Sequence, residues 1–245
     1  MVQSQESRGI NQERAARALS HGKFVVAAHL AAAAVFAVFA VWVLRFPDSL
    51  RHATREDGTI EYATALLWGL SGVGFLLVCG RSTFLRHRTE KWKCFFLVCF
   101  ALLMLFFCGE EISWGQRLFG FGTPVPIAEL NQQNELTLHN MGPLQFLQDR
   151  FLLLFIAAVA VLFPAVAAFA RGRALIQRLA FPVLPVAYVG FFVLAYIYIK
   201  AFHGLDSGSD QSGEVRELMV SIGMFLFALH GAIRPDDLFR IRVNR

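Results

Sequence analysis

The chain has 245 residues, of which 56% are hydrophobic and 17% charged, with a net charge of +5. A soluble domain carries about 25% charged residues, and here the apolar residues are gathered into long runs, so the composition excludes an ordinary soluble fold and implies a multi-pass membrane protein. The basic balance does not point to nucleic acid, because Lys and Arg sit between the apolar runs, where they orient helices.

In chain order, residues 1–23 read as a short polar tail with Arg8, Arg14 and Arg17. A first span is expected at about 24–44, between Lys23 and Arg45. Its apolar run is too long for a cleaved signal peptide and no small-residue cleavage site follows, so it reads as a retained anchor. A polar loop with Pro47 and Gly58 leads to a second span at about 62–80, and a basic loop precedes a third at about 94–113. A long loop punctuated by Pro124, Pro126 and Gly142-Pro143 follows. The fourth span is expected at about 151–170, kinked at Pro164. A short basic turn over 171–178, a fifth span at about 179–199, a Gly- and Ser-rich loop and a sixth span at about 214–233 complete the membrane region. Residues 234–245 are a basic tail. The expected fold is an all-α integral membrane protein, a single six-helix domain over 24–233 with a long outer loop between helices 3 and 4.

Sixteen of the 23 Lys and Arg fall on the two tails and on the loops between spans 2–3 and 4–5, which places both termini in the cytoplasm by the positive-inside rule. Thirteen of the 18 Asp and Glu fall on the opposite, outer side. Acids do not set topology, so this asymmetry is separate information, and any chemistry is expected on the outer face. The spans show no internal repeat and no matched pair of broken helices, which argues against an inverted-repeat transporter. The cysteines, Cys79, Cys94, Cys99 and Cys108, lie in or beside apolar runs without CxxC spacing and read as small buried hydrophobes.

The stretch Gly109 to Asn140, GEEISWGQRLFGFGTPVPIAELNQQNELTLHN, holds most of the polar residues that call for an explanation. Counting about 20 residues of span from Lys93 leaves Glu110 and Glu111 inside the outer leaflet, roughly one turn below its surface at about 1.5 Å per residue. The sixth apolar run is too short to cross unless Glu217, Arg216 and Glu214 enter the helix, with Ser212 as an N-cap candidate. Helical spacing puts Glu110, Ser113 and Arg117 on one face, Glu214, Glu217 and Ser221 on another, and Tyr196, Lys200 and His203 on a third; Glu135 and His139 would share a face of a short helix. Three helix ends and a loop are therefore expected to converge on one polar site. Ionisable residues at such depth are functional candidates, although Glu110 or Glu111 can instead pair with Arg117, Lys200 or Arg216 and lock helices together.

Several chemistries fit these residue types. Glu110, Glu111, Glu135, His139, His203 and Glu217 are possible ligands of a divalent metal, but without a diagnostic spacing. Neighbouring helical residues diverge by about 100°, so an acid–base pair is expected between Glu110 or Glu111 and Glu217 rather than between the two neighbours. Gly69-Leu70-Ser71-Gly72 matches the GxSG of rhomboid proteases, with His230 in the last span, but the serine is in the wrong span and small residues there also suit helix packing. The amides of Asn131, Gln132, Gln133, Asn134 and Asn140, near Trp114, suit a polar head group or glycan.

The GEEISWGQRLFGF segment with its downstream N…NE…LHN loop resembles a group of bacterial multi-pass membrane proteins that share an EEISWGQ stretch and an Asn/Glu/His loop. That resemblance covers about an eighth of the chain. It implies a bacterial inner-membrane protein and carries no activity with it. The alkaline ceramidase-like hydrolases are a poorer comparison, since the last helix has no HxxxH.

Three readings follow. The first is a membrane-embedded hydrolase or transferase acting on a lipid or lipid-linked substrate at the outer leaflet. Glu110, Glu111, His139 and Glu217 would be catalytic; Ser113, Trp114, Gln116, Arg117, Asn131, Glu135, Asn140, Lys200 and His203 would line the substrate. The second is a non-enzymatic binding or assembly component that recognises a head group or partner. The third is a proton-coupled carrier, disfavoured because the middle thirds of the spans are almost uncharged.

Overall fold

A computed structural model describes residues 2–83, 94–131, 135–138, 141–205 and 211–239. Helix α1 runs from Val2 to Arg45, and its apolar part is Gly22–Arg45. The segment read as a polar tail is thus helical: no proline interrupts it, so a helix established in the apolar run propagates backward at little cost. Proline at the first turn opens α2, Pro47–Ala53. Helix α3 spans Thr59–Arg81 and α4 spans Phe95–Glu111.

These helices pack through small residues. A side-chain carbon on Gly69 would lie 3.2 Å from Cys108 Sγ, and one on Gly72 would lie 2.8 Å from Leu105, so α3 and α4 run antiparallel in close contact. The last long helix, called α9 here, is Gln211–Ile233. It meets the adjoining face of α3, where a carbon on Gly74 would lie 2.9 Å from Ala228 and one on Gly231 would lie 2.8 Å from Val78. The order of those contacts makes α3 and α9 parallel. Phe75 fills the seam among the three helices, its ring centroid 5.5 Å from Phe100 of α4 and 5.3 Å from Phe227 of α9. Close approach at glycines is how membrane helices gain packing where lipid supplies no hydrophobic drive.

After the long loop, α5 covers Gly142–Ile156, continues through a π-turn at Ala157–Leu162, and resumes as α6, Phe163–Ala168. The irregularity expected at Pro164 is a π-register one turn earlier. Proline has no N–H to give Ala160 and its ring crowds that carbonyl, so the ladder widens just before it. The expected basic turn is instead a helix, α7, Ala170–Leu179, with Ile176 buried and Arg171 and Arg178 exposed. The fifth span starts later than expected, as a 3-10 turn at Val186–Tyr188 leading into α8, Val189–Phe202. Pro182 and Pro185 keep the chain out of helical form over 181–185. Helix α1 lies along α8, with Tyr198 Oη donating to the Phe39 carbonyl at 3.3 Å.

At the end opposite the long loop, residues read as tail are part of the fold. Pro235–Leu238 form a 3-10 turn with Leu238 and Phe239 buried. Ser82 Oγ donates to Asp236 at 3.0 Å, and Thr83 Oγ1 donates to the same carboxylate.

Among the described residues, five helices are long and apolar enough to cross a bilayer: Gly22–Arg45, Thr59–Arg81, Arg150–Ala168, Val186–Leu205 and Gln211–Ile233. The protein is therefore an all-α, multi-pass membrane protein. Helix α4 has 17 residues, about 25 Å of helix against roughly 30 Å of hydrocarbon.

Candidate functional site

Helix α4 ends by reversing its hand. Ser113, Trp114 and Gly115 follow one another with φ of 49°, 52° and 78°. This conformation costs a side-chain-bearing residue about 1–2 kcal/mol, so two such residues need compensation. The turn folds the Trp114 indole back over Gly109, where a side-chain carbon would lie 2.9 Å from the ring. Trp114 Nε1 then donates to Glu110 Oε1 at 2.7 Å, and the Leu138 backbone N–H donates to Glu110 Oε2 at 2.7 Å. Bonds to a carboxylate in a partly dry site are among the stronger ones, and they hold the far end of the loop against the helix.

The remaining polar residues of the loop continue this network. Ser113 Oγ donates to Glu135 Oε2 at 2.9 Å. Gln116 Nε2 donates to Thr123 Oγ1, while its Oε1 accepts the Leu136 N–H, both at 2.7 Å. Asn131 Nδ2 donates to the Thr137 carbonyl at 2.8 Å, and its Oδ1 accepts the Glu135 N–H at 3.2 Å. Gln116 and Asn131, expected to orient a substrate, thus hold the loop to itself. Residues 135–138 are not helical, and the expected pairing of Glu135 with His139 falls on a residue outside the described ones. His139 and Asn140 lie outside the described residues, as do Gln132, Gln133 and Asn134.

Glu111 takes the other direction. It shares a hydrogen bond with Glu217 of α9, and the carboxylates of Glu214 and Glu61 are close enough to act on it. Glu217 Oε1 also accepts from Arg216 at 3.0 Å in an ion pair that is largely buried. Glu61, in the first turn of α3, accepts the Asp57 N–H at 2.5 Å. Carrying the register of the Gly74–Ala228 contact outward brings Glu61 and Thr64 within a turn of Glu214 and Glu217. Thr64 is fully buried, and its hydroxyl has no hydrogen-bond partner among the described residues.

The expected single polar site is therefore two sites set back to back on the last turn of α4: a loop latch around Glu110 and a carboxyl seam around Glu111. Lys200 joins neither, being exposed with Nζ 5.7 Å from the Tyr196 ring centroid. His203 is exposed. Arg117 lies on the single turn Gln116–Phe119, and its side chain is outside the described part. Ser212 is inside the first turn of α9 rather than at its cap. Sequence reasoning missed Glu61 and Thr64. The available signal was Gly58-Thr59 at a helix start, which brings Glu61 into the first turn, where negative charge is favoured.

The serine-protease pattern does not assemble. Ser71 Oγ donates to the Leu67 carbonyl of its own helix at 2.6 Å, and His230 Nδ1 is 3.2 Å from Tyr188 Oη. Among the described residues, no three His, Cys, Asp or Glu side chains are arranged to hold a metal ion. No protein-family model, curated protein or solved structure matches the chain.

Proposed function

We propose that this protein is a membrane-embedded hydrolase or transferase whose Glu111–Glu217 pair works as acid and base on a lipid or lipid-linked substrate at the outer leaflet. The observation that carries the reading is the hydrogen bond between those carboxyls at one end of the three packed helices α3, α4 and α9. An ionised carboxylate only accepts, so a bond between two carboxyls needs a proton on one of them. Glu217 already pairs with Arg216 at 3.0 Å, so on this reading the shared proton is assigned to Glu111. Glu111 would protonate the leaving oxygen while Glu217 takes the proton of an attacking water or acceptor hydroxyl, so that proton count is conserved. The Thr64 hydroxyl is available to a substrate oxygen in the same seam. Glu110, Ser113, Trp114, Gln116, Asn131 and Glu135 would act by shaping the loop.

The topology belongs to the same proposal: six spans with α4 as the third, both termini cytoplasmic, in a bacterial inner membrane. The parallel run of α3 and α9 supports it, since spans two and six share a direction. A reporter fused after Arg245 should read cytoplasmic, and an outer reading would remove the six-span assignment.

The activity is tested by incubating purified protein with a total bacterial lipid extract and following species by mass spectrometry. Wild type should convert at least one lipid class. Glu111→Gln should convert it about 10²–10⁴ times more slowly, the usual contribution of a positioned acid or base. No conversion by wild type would favour the second reading, a binding or assembly component, which the self-satisfied hydrogen bonding of the loop also suits.

A further inference from the structure

The outer loop is inside out for a solvated segment. Its polar side chains, Gln116, Asn131 and Thr137 among them, bond inward, while its apolar ones face outward. Phe119 is 81% exposed, Val125 69%, Leu118 65% and Leu130 62%. Soluble surfaces seldom gather so many large apolar side chains over one short stretch. Beneath this surface lies a cavity of about 330 Å³, walled by Trp114, Ile127, Leu136, Leu138 and Met141, with Glu110 at one side. The Glu110 carboxylate is occupied by Trp114 and Leu138, so the cavity presents hydrocarbon. Its volume falls at the small end of the range for ligand pockets.

Trp114, which walls the cavity, also borders the exposed apolar side of α4. Trp114 packs edge-on against Phe106 at 5.7 Å, and Leu102 and Leu105 are exposed on that helix. Backbone that leaves helical form at membrane depth is tolerated where its polar groups are satisfied by protein, and the latch around Glu110 meets that condition.

We infer that the loop from Gln116 to Asn131 lies in the membrane interface with its apolar side toward lipid, and that the cavity beneath it takes one acyl chain of a bilayer lipid. The chain enters sideways from the leaflet, past Trp114. Binding there requires no turnover and stands whether or not the Glu111–Glu217 pair is catalytic.

Phosphatidylcholine vesicles doped with a phospholipid carrying a diazirine in one acyl chain provide the probe. After reconstitution and illumination, the adduct should be recovered, saturably, on the peptide spanning residues 125–141. Ile127→Trp, which fills the cavity, should lower that adduct about tenfold, as a loss of one decade in affinity would. An adduct spread over the spans with no saturable component on this peptide, or one undiminished by Ile127→Trp, overturns the cavity assignment. A measurement independent of that variant uses Phe119→Cys carrying a fluorophore, in a background with Cys79→Ala, Cys94→Ala, Cys99→Ala and Cys108→Ala. Quenching by spin-labelled lipid and not by aqueous iodide is expected. Quenching by iodide alone places the loop in water and overturns the inference.

Discussion

Glu111 and Glu217 join α4 to α9 through a carboxyl–carboxyl hydrogen bond, while Glu110, one residue earlier, is turned away to bind Trp114 and Leu138. Helical geometry separates neighbouring side chains by about 100°, which lets one Glu-Glu pair serve two unlike tasks. Substitutions at the two positions should therefore fail differently.

Glu110→Ala removes the acceptor of two donors, the Trp114 indole and the Leu138 N–H. An abandoned donor costs about 1–3 kcal/mol, and here the cost should fall on the loop. Hydrogen exchange across residues 113–141 should accelerate, while exchange in α3 and α9 stays at the wild-type level. Glu110→Gln retains one acceptor oxygen and should show an intermediate effect.

Glu217→Ala breaks the ion pair with Arg216, whose side chain is 9% exposed. Removing one partner of a buried pair costs about 3–5 kcal/mol. Arg216 has further interactions, which puts the expectation at about 3 kcal/mol. Thermal unfolding in detergent should report this loss for Glu217→Ala and a much smaller one for Glu111→Gln, whose amide can still donate to Glu217.

Gly115→Ala places a side chain at φ 78°. The new carbon would lie 2.9 Å from the Phe119 ring, but Phe119 is exposed and can swing aside, so the cost is the backbone term, about 1–2 kcal/mol. The latch should loosen, with Trp114 fluorescence shifted and faster proteolysis within residues 116–138.

Ser71→Ala and His230→Ala should leave any lipid conversion within about twofold of wild type, because general base or nucleophile roles require mutual hydrogen-bond reach and each side chain is engaged elsewhere. Loss of conversion with Ser71→Ala would reinstate a serine mechanism.

Five of the six expected spans were legible because a bilayer demands long apolar runs, and the described residues supply five of that length. Their ends were less so. Pro182 and Pro185 sit inside an apolar stretch that hydropathy alone counts as helix, yet they keep it out of helical form and delay the fifth span to Val186. Glu61 precedes the apolar run, so hydropathy alone leaves it in a loop, although the helix begins at Thr59. Spacing put Tyr196, Lys200 and His203 on one face, but periodicity does not say which face points inward, and Lys200 is exposed. The loop was the least readable part. Its partners are set by the left-handed run from Ser113 to Gly115, and two residues of that run have side chains that ordinarily avoid the conformation. The outward apolar side chains follow from the same reversal, which turns the loop's polar side chains inward.

The most direct test is the lipid conversion rate of Glu111→Gln beside wild type and Glu110→Gln, each shown by thermal unfolding to be folded. An acid at Glu111 predicts a fall of about 10²–10⁴ for Glu111→Gln and a far smaller one for Glu110→Gln, whose role is to hold the loop. Equal rates for Glu111→Gln and wild type would contradict the assignment of the seam as the reacting site.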